Sequence, residues 1–168
     1  MAHAYQVHLV RHGIAEELSD LCPDDAKRPL TEAGVASFRH GIRGLARAGL
    51  KLDVVLTSPL LRARQSAEIM AAECAPKPAI VVAESLAPGG THQALLAELA
   101  KHAKRARVAL VGHEPGMGEL AARLVGLRQP LRFKKGAVAR IDLDDLPPTG
   151  LGELRWLLPP KLLRRLRK

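Results

Sequence analysis

Aromatic residues are nearly absent from this chain: one Trp, one Tyr and two Phe among 168 residues. Sites for single-stranded nucleic acid usually stack bases on aromatic rings, so the shortage argues against a nucleic-acid partner. It also means that the core must be built from Leu, Val, Ile and Ala. Cysteine is scarce as well. Cys22 and Cys74 stand alone, without CxxC or metal-ligand spacing, and read as reduced thiols of a cytoplasmic protein. No cationic segment followed by an apolar one opens the sequence, and no run is apolar and long enough to span a bilayer, so no membrane association is expected. Several catalytic signatures are missing too: there is no GxSxG elbow, no HExxH, and no glycine-rich phosphate loop of the Walker or GxGxxG kind.

What is present describes an ordinary globular chain. The hydrophobic fraction is 47%, normal for a packed protein and against disorder. The length predicts a single domain over residues 1–168. The formal net charge is +9, and Lys161, Arg164, Arg165, Arg167 and Lys168 supply five positive charges within the last eight residues. A solvated basic tail over 161–168 is the favoured reading of that end, with docking of an anionic partner as its alternative.

Strand-like and helix-like segments alternate. Tyr5 to Val10 reads as a strand, followed by a polar loop from Glu16 to Arg28. Thr31 is placed to cap a helix whose apolar stripe is Val35, Phe38, Ile42, Leu45 and Ala46. Asp53–Thr57 is a second strand, after which Ser58 as N-cap and Pro59 at the first helical position predict a helix to about Glu73. Ala79–Ala83 is a third strand, with Thr91 capping the next helix. Arg107–Val111 is a fourth, with a helix through Leu120 and Val125 behind it. Ala137–Leu143 and Leu151–Leu157 read as a hairpin around Pro147-Pro148-Thr149-Gly150. The pattern predicts a three-layer α/β/α fold, with a mainly parallel sheet, helices on both faces and a C-terminal strand pair at the edge.

Right-handed crossovers place the carboxyl ends of parallel strands along one edge, where ligands bind in such sheets. Arg11 and His12 follow the first strand, Ser58 and Arg62 the second, and His113 the fourth. Two histidines and two arginines so placed suit phosphoryl transfer. A neutral imidazole can attack phosphorus and hold it covalently, and a guanidinium matches phosphate oxygens and stays charged. Taken alone, His12 reads more simply as a core histidine, and His8 reads the same way. Metal binding by His12 and His113 is disfavoured because Arg11 would repel a cation and no carboxylate cluster accompanies them.

Four motifs decide the matter. Leu9-Val10-Arg11-His12-Gly13, Arg28-Pro29-Leu30-Thr31-Glu32-Ala33-Gly34, Ser58-Pro59-Leu60-Leu61-Arg62 and Val111-Gly112-His113-Glu114-Pro115 occur in the order seen in the histidine phosphatase, or phosphoglycerate-mutase-like, superfamily. The chain resembles its compact branch, the SixA-type phosphohistidine phosphatases, from Val7 to about Pro159. The resemblance implies that His12, in the RHG motif, is the nucleophile that becomes phosphorylated. Arg11, Arg62 and His113 would hold the phosphoryl group, and Gly13 would bring backbone close to the substrate. Neither metal nor cofactor is implied. Arg64, about 200° round the helix from Arg62, is expected at the surface or rim.

Larger members of the superfamily carry a glutamate general acid after the third strand. Here that region reads Glu84-Ser85-Leu86-Ala87-Pro88, and Pro88 falls where the acid would stand. Glu84 is the candidate to replace it. A poorly served alkoxide leaving group departs badly, whereas the nitrogen of phosphohistidine is readily protonated. The expected substrate is therefore a phosphohistidine-bearing protein. A small phosphate ester is the alternative within the fold, and a non-catalytic basic module for an acidic partner or RNA is the alternative of another class.

Overall fold

The computed structural model describes residues 3–166, so Arg167 and Lys168 of the basic tail lie outside the described residues. Its elements are β1 (Tyr5–Arg11), α1 (Glu32–Arg47), β2 (Val54–Thr57), α2 (Leu61–Glu73), β3 (Ala79–Val82), α3 (His92–Ala100), β4 (Arg107–Gly112), α4 (Gly116–Val125), β5 (Val138–Leu143), β6 (Glu153–Leu158) and α5 (Pro160–Leu163). One sheet runs in the order β3-β2-β4-β1-β5-β6. β1 to β4 are parallel, and β5 pairs antiparallel with both β1 and β6. This is the predicted α/β architecture, with the strand pair at the edge.

The central strands are apolar on both sides because both sides are covered. Val7 and Leu9 face a core shared with Leu95, Leu99, Met117 and Leu120 of α3 and α4. Val10, one residue out of phase, faces a second core with Phe38, Ile42, Ala67 and Met70 of α1 and α2. Alternation along an extended strand sends successive side chains to opposite layers. His8 is a core residue on this pattern, packed at 5.8 Å between ring centroids against Trp156. Its Nδ1 nevertheless has no hydrogen-bond partner among the described residues.

Capping follows the sequence at two of three positions. Thr31 Oγ1 accepts the Gly34 N–H, and Thr91 Oγ1 accepts the Ala94 N–H. The third expectation is corrected, because α2 begins at Leu61 with Leu60 as its N-cap and no side-chain cap. Ser58 instead continues the sheet: its N–H donates to the Val111 carbonyl at 3.0 Å, and the residue is fully buried at the strand end.

The tail is also corrected. Lys161 and Arg165 stay exposed, but Leu163 is only 1% exposed and joins the core beneath α1. A Cβ on Gly44 would lie 2.5 Å from the Leu163 carbonyl oxygen, so the close approach of this segment requires the glycine. Arg164 Nη1 donates to Ser37 Oγ at 2.8 Å and fastens the segment further.

Candidate active site

The carboxyl ends of β1, β2 and β4 meet at one edge, and their backbones stay paired past the last strand residue. The His12 N–H donates to the Gly112 carbonyl at 3.1 Å. Together with the Ser58–Val111 bond, this fixes His12, Ser58 and His113 side by side before any side-chain contact is counted. All three are buried, as is Arg62.

His12 has its tautomer set by its own chain. Nδ1–H donates to the Gly13 carbonyl at 2.6 Å, so Nε2 carries the lone pair. Arg62 Nε–H donates to that nitrogen at 3.3 Å. Burial, seconded by His113, Arg62 and Arg11, pushes the His12 pKa down to about 3 against the raising influence of the Gly13 carbonyl. The imidazole is neutral, as a nucleophile must be.

Arg62 sits in the first turn of α2, and its orientation is held from the loop between β1 and α1. Nη1–H donates to the Asp25 carbonyl at 2.7 Å and Nη2–H to Asp25 Oδ2 at 3.1 Å. Asp25 opens a short 3-10 turn capped by Asp24, and its other carboxylate oxygen accepts from Arg28 Nε at 2.8 Å. Burial opposes ionisation of Asp25, but the hydrogen bonds from Arg28 and Arg62 hold its carboxyl below the usual range. One helical turn beyond Arg62, Ser66 Oγ–H donates to the Arg62 carbonyl at 2.8 Å and accepts the Gly13 N–H at 3.0 Å. Gly13, directly after His12, is thereby tied to the helix that carries Arg62.

Arg11 reaches the other side of the site. Nη1–H donates to the Phe133 carbonyl at 2.8 Å, whereas the buried Nε–H has no partner among the described residues. The turn after Phe133 grips the nucleophile strand directly. Gly136, at φ +82°, donates its N–H to the His12 carbonyl at 2.8 Å and lies 3.1 Å from the Arg11 carbonyl. That φ suits glycine because it lacks a Cβ.

His113 completes the set, its ring centroid 5.0 Å from that of His12. Its Nε2 lies 2.8 Å from Ser58 Oγ, which itself accepts the Leu60 N–H at 3.3 Å. With one lone pair taken by the Leu60 N–H, the Ser58 hydroxyl can still donate to Nε2 or accept from it, and when it donates the proton of His113 stands on Nδ1. That Nδ1 is buried and has no partner among the described residues. Burial first, then the charge of Arg62, lowers the His113 pKa to about 4, so the ring is neutral when the site is empty. Buried donors without partners are rare. Here His113 Nδ1 and the Nε–H of Arg11 are both buried without a partner among the described residues, on the residues that flank His12 in the sheet, a combination that suits an anion with an electrophilic centre.

The remaining candidates fall elsewhere. Gly13 acts through its backbone, and a Cβ there would meet Leu30 and Phe38 at 3.4 Å, an ordinary contact. Arg64 is exposed, as its helical position predicts. A cavity of about 390 Å³ opens beside His113 and is lined by Pro88, Thr91, Glu114 and Glu119 among others. Glu84 is exposed and lies outside that lining. Sequence reasoning missed Asp25, Ser66, the bond from Ser58 to His113, and Glu114. Ser66 alone had a readable signal, since it stands four residues after Arg62 and so shares its helical face. No three His, Cys, Asp or Glu side chains gather as a metal site among the described residues.

A neutral histidine whose Nε2 lone pair meets an arginine N–H, beside a second arginine and a second histidine at the strand ends of an α/β sheet, has the form of a phosphoryl-transfer centre. Comparison with known proteins gives that class its family. Residues 7–87 match the family profile described as histidine phosphatase superfamily (branch 1). The phosphohistidine phosphatase SixA of Escherichia coli is 32% identical over 159 residues, covering 92% of this chain and 94% of that protein. An uncharacterized protein of Picosynechococcus is 43% identical over 119 residues, covering 69% of this chain and 70% of its own. The structure of the protein histidine phosphatase SixA complexed with tungstate superposes with a TM-score of 0.83 at 31% identity, covering 94% of this chain and 99% of that one. The chain belongs to the histidine phosphatase superfamily, and is a phosphatase of that family.

Proposed function

We propose that the protein hydrolyses phosphohistidine on a protein partner, through a covalent intermediate on His12 and without metal or cofactor. The observation that carries this reading is the Nδ1–H···O=C bond from His12 to Gly13, which leaves the lone pair on Nε2, beside Arg62 and His113, and so supports Nε2 as the nucleophile. In the first step Nε2 attacks phosphorus while the P–N bond to the substrate imidazole breaks. The bonding pair leaves on that nitrogen, which takes up a proton. Arg62 Nε–H, released from the lone pair it caps in the empty site, turns to a phosphoryl oxygen, and the unpartnered donors of Arg11 and His113 take others. Donors so arranged stabilise the charge spread over the equatorial oxygens. In the second step water attacks the same phosphorus and gives up one proton to solvent, matching the proton that solvent gave the leaving nitrogen, while the P–Nε2 pair returns to Nε2 and phosphate departs with His12 restored.

The substrate class rests on the leaving group. Pro88 lines the cavity beside His113 and offers no proton, while an imidazole leaving group needs little help. The relatives named for phosphohistidine agree with this choice. Brief incubation with a labelled phosphodonor should leave acid-labile, alkali-stable label on the wild-type protein and none on His12→Ala. Label persisting in that variant would overturn the nucleophile assignment.

A second reading, hydrolysis of a small phosphomonoester, is favoured by one observation. Glu114 lines the same cavity, and burial holds its carboxyl above the usual range. A carboxyl whose proton is held more tightly than usual is a better general acid than an ordinary exposed glutamate.

A further inference from the structure

Arg11 also lines a second, more open cleft of about 560 Å³, to which His113 does not contribute. Its walls carry five cationic side chains, those of Arg11, Lys134, Lys135, Lys161 and Arg164, and its lining includes no carboxylate. The remaining surface is apolar, with Ile14 48% and Leu162 46% exposed beside Pro159 and Pro160. We propose that this cleft docks an acidic, leucine-bearing segment of the phosphorylated protein partner while its phosphohistidine occupies the adjoining site. The inference rests on the phosphohistidine reading above and adds to it the character of the partner.

Three features favour a built surface over a chance accumulation of charge. Lys134 and Lys135 stand in the turn whose Phe133 carbonyl holds Arg11 and whose Gly136 N–H binds the carbonyl of His12. The contacts that place the nucleophile therefore also place these lysines. Lys161 and Arg164 come from the C-terminal segment, which is packed on the body through Leu163 and the small faces of Gly41 and Gly44. Finally, Arg11 belongs both to the cleft and to the phosphoryl site, so the two are continuous.

The occupant follows from chemistry. Exposed lysines on flexible stems attract distributed negative charge without gripping one phosphate, and a charged rim of this kind governs encounter and salt dependence. Exposed Ile14 and Leu162 would cover apolar side chains, which a polyphosphate lacks. Nucleic acid would need stacking partners, and the cleft has no aromatic side chain in its lining.

The test uses two synthetic histidine peptides of equal length, one with Asp, Glu and Leu flanking the histidine and the other with Asn, Gln and Leu. Each is prepared unphosphorylated for binding by fluorescence anisotropy, and phosphorylated for turnover. The full-length protein should bind the acidic peptide about tenfold more tightly at low salt, with the advantage shrinking as salt rises. The phosphorylated acidic peptide should show a KM lower by a similar factor. In a Lys134→Glu/Lys135→Glu/Lys161→Glu variant both advantages should vanish, while turnover of the neutral phosphopeptide stays unchanged. Equal binding of the two peptides by the wild type overturns the docking surface, and so does an acidic preference that survives in the variant. Tight binding of an oligouridylate that the variant loses, with no peptide preference in the wild type, reassigns the cleft to RNA and overturns it too. Acidic-peptide binding without turnover of either phosphopeptide upholds the cleft and defeats the phosphohistidine reading instead.

Discussion

Ser58 Oγ and His113 Nε2 lie 2.8 Å apart, and this bond decides which nitrogen of His113 offers a proton to the site. The Leu60 N–H takes one lone pair of the hydroxyl, and a hydroxyl that donates forward leaves Nδ1 protonated, the arrangement that Ser58→Ala tests. In Ser58→Ala, Nε2 loses its partner and the alternative tautomer becomes accessible, which would turn a lone pair towards a phosphoryl oxygen. We expect kcat/KM to fall by about tenfold to a hundredfold. Nitrogen NMR of His113 should show the Nε2–H form appearing, and vanadate should bind more weakly. An unchanged His113 spectrum together with lost activity would show that Ser58 acts otherwise.

Asp25 is the partner that orients Arg62. In Asp25→Ala the guanidinium keeps its bonds to the carbonyl of residue 25 and to His12 Nε2 but loses the carboxylate that orients it, and Arg28 loses its carboxylate as well. The Asp25 side chain is 45% exposed, so solvent screening limits its part in stability to about 1 kcal/mol. Its part in catalysis is larger, and kcat should fall about tenfold or more because Arg62 no longer meets the phosphoryl group in one geometry. Steady-state kinetics alongside a melting curve separate the two effects. A large drop in melting temperature with near-normal kcat would contradict this account.

The gathering of Arg11, His12, Arg62 and His113 was legible in the sequence because each stands at or after a strand end, whereas the part expected of each came from the resemblance carried by the four motifs. A parallel sheet brings such positions together whatever the loops do. Arg11, His12, Arg62 and His113 therefore assemble as the alternation of strands implied. Ser58 was misread because Ser-Pro before a helix is a common capping signal, and only the pairing of its N–H with Val111 shows that the sheet claims it first. Asp25 lies in a loop without periodicity, so nothing local marks its carboxylate as the partner of Arg62. The packed tail was hidden for a related reason. Gly41 and Gly44 look like weak points of α1, and their value appears only when Leu163 arrives from more than a hundred residues away in the chain.

Three buried imidazoles predict how stability depends on pH. Burial lowers the pKa of His8 to about 4, of His12 to about 3 and of His113 to about 4, from an ordinary 6.5. Between those values and 6.5 the unfolded chain binds more protons than the folded one, so stability rises with pH across that window. It is fully present above pH 6.5 and is lost as pH falls towards 4. His8 alone contributes a loss on the order of 3 kcal/mol over this range. Melting temperatures should be level from pH 7 to 8 and drop steeply below 6. His8→Leu, which removes an imidazole with an unpartnered Nδ1, should flatten that slope. A slope unchanged in His8→Leu would show that His8 does not titrate in this way.

The leaving group provides the sharpest test, because the two candidate acids differ in position. Glu84 begins a short 3-10 turn with its side chain in solvent and stands outside the cavity beside His113. Glu114 follows His113 directly and lines that cavity. Its Oε1 accepts the Gly118 N–H at 3.1 Å, and burial raises its pKa even though Arg11 and that amide oppose the rise. Proton donation to an alkoxide is worth about a hundredfold to ten-thousandfold, whereas an imidazole leaving group depends on it far less. Glu84→Gln should therefore leave both phosphohistidine and phosphomonoester turnover near the wild-type level. Glu114→Gln should depress turnover of an alkyl phosphate much more than turnover of a phosphohistidine peptide. Equal losses on the two substrates would assign Glu114 a structural part at the start of α4. If loss of ester turnover followed Glu84→Gln instead, the loop after β3 would have to close over the site during catalysis. Parallel assays of both variants on both substrates distinguish these outcomes.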